Sequence, residues 1–273
     1  SPRGVDKINL PADDEKRNFV KIMNPLGEET SVMRTTLIPN MLDVISTNIS
    51  HKVEEVSAFE CGNTFIPQEG LPIETKKYCV GMYGKEVDFF VLKGVIESVL
   101  NNVGLKGYEI EPETTNLTFH PGRCAKIVYN NIYIGTFGEL HPDVIENYNL
   151  GQRVYVAEIN IDTVFENLNL TKSYNPLPKY PSTSRDIALI VKDEVFVKQI
   201  EAIIKANGED LVESYKLFDV YKGAQIEEGH KSIAYSITYR SKDKTLTDED
   251  VAKVHEKILS ELSEKLNANL RSN

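Results

Sequence analysis

Three prolines within six residues, Pro176, Pro178 and Pro181, constrain the architecture of this chain more than any other feature. Each removes a backbone donor and fixes φ near about −65°, so neither a helix nor a central strand runs through them. The 273 residues must then fold as two halves: a first domain over 1–171, an extended linker over 172–181 and a second domain over 182–273. The charge divides at the same place. Residues 1–171 carry 15 basic and 24 acidic side chains, a balance of −9, whereas residues 172–273 carry 16 and 17, a balance of −1. Each half is long enough to bury a core of its own.

Several classes drop out. With 41% hydrophobic residues the chain has the makings of packed cores, not of a disordered tail. Its apolar runs last a handful of residues, far short of the ~20 a membrane helix needs, and no charged-then-apolar leader opens it. No membrane contact and a cytoplasmic location are expected. Cys61, Cys79 and Cys124 stand far apart without CxxC spacing, which speaks against a disulfide framework or a zinc site.

In the first half, Phe19–Met23 is a strand candidate ahead of the turn-like Asn24-Pro25-Leu26-Gly27. From Leu37 to His51, Ile38, Met41, Leu42, Ile45 and Ile49 recur at spacings of three and four, the stripe of a helix with one buried side. Strands are predicted at Val56–Phe65, Tyr78–Tyr83, Cys124–Tyr129, Ile132–Phe137 and Tyr155–Ile161. A helix over Asp88–Val103 is stopped by Gly104, and Pro142–Tyr148 has room for two helical turns. Strands in succession with few helical insertions give an α+β fold with an antiparallel or mixed sheet. The second half reads as strand Asp186–Val191, helix Val195–Ala206, strands Leu211–Tyr221 and Ser232–Tyr239, a helix capped by Thr247 running to Leu266, and a last short strand at Ala268–Arg271. That order, β-α-β-β-α-β, is ferredoxin-like.

Catalytic signatures are scarce. No GxxxxGK[ST] or GxGxxG is present, no serine sits in a GxSxG elbow, and the five histidines are scattered without zinc-protease spacing. The acidic clusters at 13–15, 28–29 and 248–250 suit chain-end solvation, a turn and the first turn of a helix. Two His-Pro pairs, at His120 and His141, bracket a predicted hairpin and are expected to stabilise its turns. Arg34, ahead of the Leu37 helix, has the fork to clamp a carboxylate or phosphate, or to form a structural ion pair.

Seven strings carry a resemblance: NPLGEETSVMRTTLIPNML (24–42), FECGNTF (59–65), DFFVLKG (88–94), FHPGRCAKI (119–127), GTFGELHP (135–142), PSTSRDIALIV (181–191) and LFDVYKG (217–223). In order, and over nearly the whole chain, they resemble the C-terminal part of bacterial phenylalanyl-tRNA synthetase beta subunits. The resemblance implies that residues 1–171 form a class II synthetase-like antiparallel sheet with flanking helices that has lost its active site, its groove empty and unlined. The residues agree. Class II chemistry needs an arginine from a motif-two strand and another from a glycine-rich final helix; Ser57–Phe65 holds no arginine, and the helix after Tyr155–Ile161 has neither signature. No catalytic residue and no metal ligand is assigned.

The resemblance further implies a catalytic alpha subunit as partner, in an alpha2beta2 enzyme whose alpha chains carry ATP, Mg2+ and phenylalanine; no cofactor is expected in this chain. Met33, Arg34, Met41 and Ile45 are the candidate alpha contacts, although the stripe holding the last two reads first as core. The second domain would bind the anticodon region of tRNA(Phe). Phosphates call for Lys and Arg, and unpaired bases for planar groups; the candidates are Arg185, Lys216, Tyr221, Lys231, Tyr235, Arg240 and Arg271. With a balance of −1 this domain lacks the footprint of a strong standalone RNA binder. In the family, editing and further tRNA-binding modules lie upstream, so Ser1 is expected to be a cut edge. The alternative is a free-standing paralogue acting as a regulatory or small-molecule-binding module. An active class II ligase with unrecognised motifs is disfavoured by the missing arginines.

Overall fold

The periodicities resolve into two antiparallel sheets. The structure, a computed structural model, describes residues 2–168, 171, 174, 176–223 and 225–271, so the linker expected over 172–181 lies outside it at residues 172, 173 and 175. By packing, the chain divides into two units, residues 1–172 and 173–273.

In the first unit, α1 (Gly4–Lys7) and α2 (Ile38–Ser50) precede a meander of β1 (Val56–Ile66) and β2 (Ile73–Tyr83). Then come α3 (Phe89–Asn102), β3 (Glu109–Pro112), β4 (Phe119–Tyr129), β5 (Ile132–Leu140), α4 (Pro142–Asn147), β6 (Tyr155–Asn160) and α5 (Ile161–Glu166). The six strands lie in the order β1-β2-β6-β5-β4-β3, every pair antiparallel. The α2 stripe, Ile38, Met41, Leu42 and Ile45, is buried with Cys79, Tyr83 and Val156 on one face of the sheet. Gly81 permits the fit: a Cβ there would stand 2.6 Å from Met41 Cγ and 2.7 Å from Ile45 Cδ1. On the opposite face, Leu92, Ile96 and Leu100 of α3 and Val164 of α5 pack on Val80, Ile127, Phe137 and Ala157. Apolar clusters thus pack on both faces of this sheet.

Two local expectations also change. Phe19–Met23 is not a strand but a single bridge, Lys21 to Val32, with Ile22 N–H donating to Ser31 O and Met33 N–H to Val20 O, both at 2.9 Å. Pro25 and Gly27 turn the chain before a longer ladder can form. Conversely, β3 was not anticipated, because Glu-Ile-Glu-Pro has no apolar alternation; it is a four-residue edge strand held by β4.

The second unit contains β7 (Thr183–Lys192), α6 (Val197–Asn207), β8 (Val212–Tyr221), β9 (His230–Tyr239), α7 (Asp248–Leu266) and β10 (Asn269–Leu270), in the sheet order β10-β7-β9-β8. This is the ferredoxin-like arrangement. The α7 cap forms as read: Thr247 Oγ1 accepts the Asp250 N–H (3.2 Å) and the Asp250 carboxylate accepts the Thr247 N–H (3.1 Å). Both helices pack on one sheet face, against Ile187, Leu189 and Val191 of β7 and Ile233, Tyr235, Ile237 and Tyr239 of β9. No helix among the described residues is long and apolar enough to cross a membrane.

Candidate nucleic-acid interface

The helix-free face of the second sheet follows from register. Residues paired across strands share a face, so the row Tyr221–Ser232–Ile190–Asn269 runs over all four strands opposite the helices. Beside it run Asp219–Ala234–Ala188 and Lys216–Ser236–Asp186. The middle of this face is small, Ala188, Ser232, Ala234 and Ser236, and the β8 edge carries an exposed cation, carboxylate and aromatic in Lys216, Asp219 and Tyr221. A bulge between Leu217 and Asp219 shifts the alternation, so Asp219 reaches this face although strict counting from Lys216 puts it on the other.

The seven sequence candidates separate on this frame. Lys216 and Tyr221 lie on the open face. Arg271 joins them from beyond β10: its N–H donates to Ala188 O at 2.9 Å and its guanidinium carbon stands 5.6 Å from the centre of the Tyr221 ring. The other four are spent elsewhere. Tyr235 is fully buried between the sheet and α6, its hydroxyl 3.4 Å from Glu201 Oε1, so it offers no ring to a base. Arg185 shares the helix-side register of Ile237 and donates to Asp248 Oδ1 at 2.7 Å. Arg240 grips Glu213 through Nε at 2.9 and 3.0 Å and pins Tyr180 O through Nη1 at 2.5 Å. Lys231 donates to Asp193 O at 2.9 Å, and burial holds its pKa down against the opposing pull of Asp193. Face and partner are set by strand pairing, which position in sequence does not display. The alternation of Ser232, Ala234 and Ser236 with Ile233, Tyr235 and Ile237 was the signal that identifies the outward face.

The first unit has a buried carboxylate of enzymatic appearance. Glu158 Oε1 accepts the Thr36 hydroxyl and the Leu37 N–H, each at 2.7 Å, while Oε2 lies 3.9 Å from Lys77 Nζ. Its oxygens are thus engaged in docking the start of α2 to β6. The cavity beside it, lined also by Thr118, Tyr133 and Thr136, measures about 20 Å³, room for one water. Among the proposed alpha contacts, Met41 and Ile45 are core residues, at 3% and 0% exposure, and present nothing to a partner. Met33 and Arg34 are half-buried; Arg34 pairs with Glu60 at 2.6 Å and donates through Nε to Asn63 O at 3.0 Å. His120 and His141 accept at Nδ1 from the N–H of Gly122 (3.0 Å) and Asp143 (3.2 Å); the first sits at the irregular start of β4 and the second caps α4, so neither holds the hairpin turn itself.

Comparison with known proteins decides the family. Residues 1–161 match the model of the phenylalanyl tRNA synthetase beta chain CLM domain. The chain belongs to the phenylalanyl-tRNA synthetase beta chain family. Residues 178–271 match the ferredoxin-fold anticodon binding domain. Similar relatives include phenylalanine–tRNA ligase beta subunits of Clostridium tetani, 47% identical over 99% of this chain and 34% of the relative, and Clostridium acetobutylicum, 46% identical with the same coverage. That of Symbiobacterium thermophilum is 37% identical over 99% of this chain and 32% of its own length. The chain spans about a third of the length of these relatives.

Proposed function

We propose that this chain acts within a phenylalanine–tRNA ligase beta subunit, docking the catalytic alpha subunit through its first unit and holding the anticodon region of tRNA(Phe) on the open sheet face of its second. One observation carries the reading: in the unit that matches an anticodon-binding model, a cation, an aromatic ring and a guanidinium (Lys216, Tyr221, Arg271) share the face that no helix covers, the last two in contact. Phosphates pair with Lys and Arg, and unpaired bases stack on planar groups. The first unit plays a structural part. Its sheet is covered on both faces and its buried glutamate is bonded to backbone and hydroxyl, which supports a module that makes no adenylate. ATP, Mg2+ and phenylalanine belong to the alpha subunit in an alpha2beta2 assembly working in the cytoplasm, and Met33 and Arg34 are the contacts offered to alpha.

The test is kinetic, in the assembled enzyme. With Lys216→Glu and Tyr221→Ala together, the KM for tRNA(Phe) rises about ten-fold or more, the sum of a lost phosphate contact and a lost stack, while ATP–pyrophosphate exchange with phenylalanine stays at the wild-type rate. An unchanged KM for tRNA refutes the open face as the RNA surface. Phenylalanyl-adenylate formation by this chain without the alpha subunit refutes the non-catalytic reading of the first unit.

A further inference from the structure

The end of the linker is held from one point. Pro176, Pro178 and Pro181 have no N–H, so this stretch has few backbone donors with which to anchor itself, and its carbonyls must find donors elsewhere. Among the described residues of 176–182, the one hydrogen bond runs from Arg240 Nη1 to Tyr180 O, at 2.5 Å. Tyr180 is half-buried, while the rest of 176–182 is exposed. Arg240 is itself fixed twice. Its N–H donates to Leu211 O at 2.8 Å, just ahead of β8, and its Nε is shared by both oxygens of Glu213, at 2.9 and 3.0 Å. The side chain, 24% exposed, thus reaches from the start of β8 to the residues ahead of β7.

Resting on the RNA-binding reading above, we propose that Arg240 is a positioning residue: it clamps Tyr180 to the second unit and so shortens the tether on which the RNA-binding sheet is carried. Without the clamp, Tyr180, Pro181 and Ser182 join the linker. A site on a longer tether is within reach of an RNA held elsewhere on the enzyme for a smaller share of the time. The freed residues must also be fixed again when the RNA is bound, and each costs conformational entropy. The fork explains why an arginine stands here. A guanidinium donates in one plane to a carboxylate on one side and a carbonyl on the other, whereas a lysine ammonium has no such plane and serves one or the other. In this role Arg240 touches neither base nor phosphate. Its signature is therefore weaker use of whole tRNA by the assembled enzyme, with no loss of affinity for the anticodon hairpin alone.

In the assembled enzyme, Arg240→Ala raises the KM for tRNA(Phe) about five-fold, while kcat and ATP–pyrophosphate exchange keep their wild-type rates. Arg240→Lys does not restore KM, and Glu213→Gln, which keeps the guanidinium but loosens its hold, gives a smaller rise. In the whole chain, the Kd for an RNA hairpin carrying the tRNA(Phe) anticodon stem and loop stays at the wild-type value in these variants. Trypsin under native conditions, by contrast, cuts after Lys179, next to the clamped carbonyl, several-fold faster in Arg240→Ala. If Arg240→Ala unfolds the second unit, Glu213→Gln decides by the same criteria. A hairpin Kd that rises in step with KM overturns the clamp in favour of a direct RNA contact. An unchanged KM once trypsin shows Tyr180 released, or a cut at Lys179 no faster than in the wild type, overturns it too. A KM raised by Lys216→Glu with Tyr221→Ala but not by Arg240→Ala overturns the clamp alone; a KM unmoved by that pair refutes the open face, and the positioning role falls with it.

Discussion

Gly62 has no side chain because Arg34 occupies its place. A Cβ built there would stand 2.2 Å from Arg34 Nη2 and 3.0 Å from Glu60 Oε1, so Gly62→Ala must push the guanidinium off the Glu60 carboxylate. What is displaced is the free end of a partly exposed side chain, so the cost is that of the ion pair, at most about 1 kcal/mol, read as a small shift in urea-induced unfolding of the first unit. The sequence left Arg34 open between a carboxylate or phosphate clamp and a structural ion pair; within the chain it forms an ion pair with Glu60, 26 positions away, which depends on where β1 passes. The cysteines are simpler. Cys79 and Cys124 are buried, and burial raises both thiols, Cys124 to about 12. Alkylation of the native chain therefore labels Cys61 alone, and all three react in denaturant; a second labelled thiol under native conditions contradicts the packing described for β2 and β4.

At the scale of elements, Glu158 is the bolt between α2 and β6. Glu158→Ala leaves the Thr36 hydroxyl and the Leu37 N–H buried without their acceptor, at a cost of about 2–4 kcal/mol, visible as early amide exchange at the start of α2. In the second unit α7 meets β9 through His255 Nδ1 and the Tyr239 hydroxyl at 2.9 Å. Burial, with the Arg185 cation of β7 adding to it and Glu256 opposing it, holds the His255 pKa below its ordinary value. The sign follows: the unfolded chain binds this proton more readily, so the contribution is complete above about pH 6.5 and is lost as the pH falls through the folded-state value. Unfolding of the second unit should become easier from pH 7 to 5, and His255→Gln should flatten that slope. Helices were legible because α2 and α7 bury stripes at spacings of three and four and α7 carries its cap in Thr247 and Asp250. The edges were not. β3 is held by ladder bonds to β4 without an apolar pattern, and the apolar Phe19–Met23 found only one bridge.

For the whole chain, the proline cluster and the charge contrast foretold two units, and the motif strings foretold the family, because both are written in residue types. The candidate surface was half legible. Lys216, Tyr221 and Arg271 were named from type and position; Arg185, Lys231, Tyr235 and Arg240 were named on the same grounds and are used up in ion pairs, carbonyl contacts and core. What separates the groups is the face of a sheet, and face depends on a register that the β8 bulge shifts by one residue. The proposal that RNA meets the helix-free face of β8, β9, β7 and β10 is open to amide chemical-shift mapping of the chain against the tRNA(Phe) anticodon hairpin. Perturbations should cluster on Lys216, Asp219, Tyr221, Ser232, Ala234 and Arg271, with α6 and α7 unmoved; perturbations centred on those helices, or on Arg185 and Asp248, would contradict it.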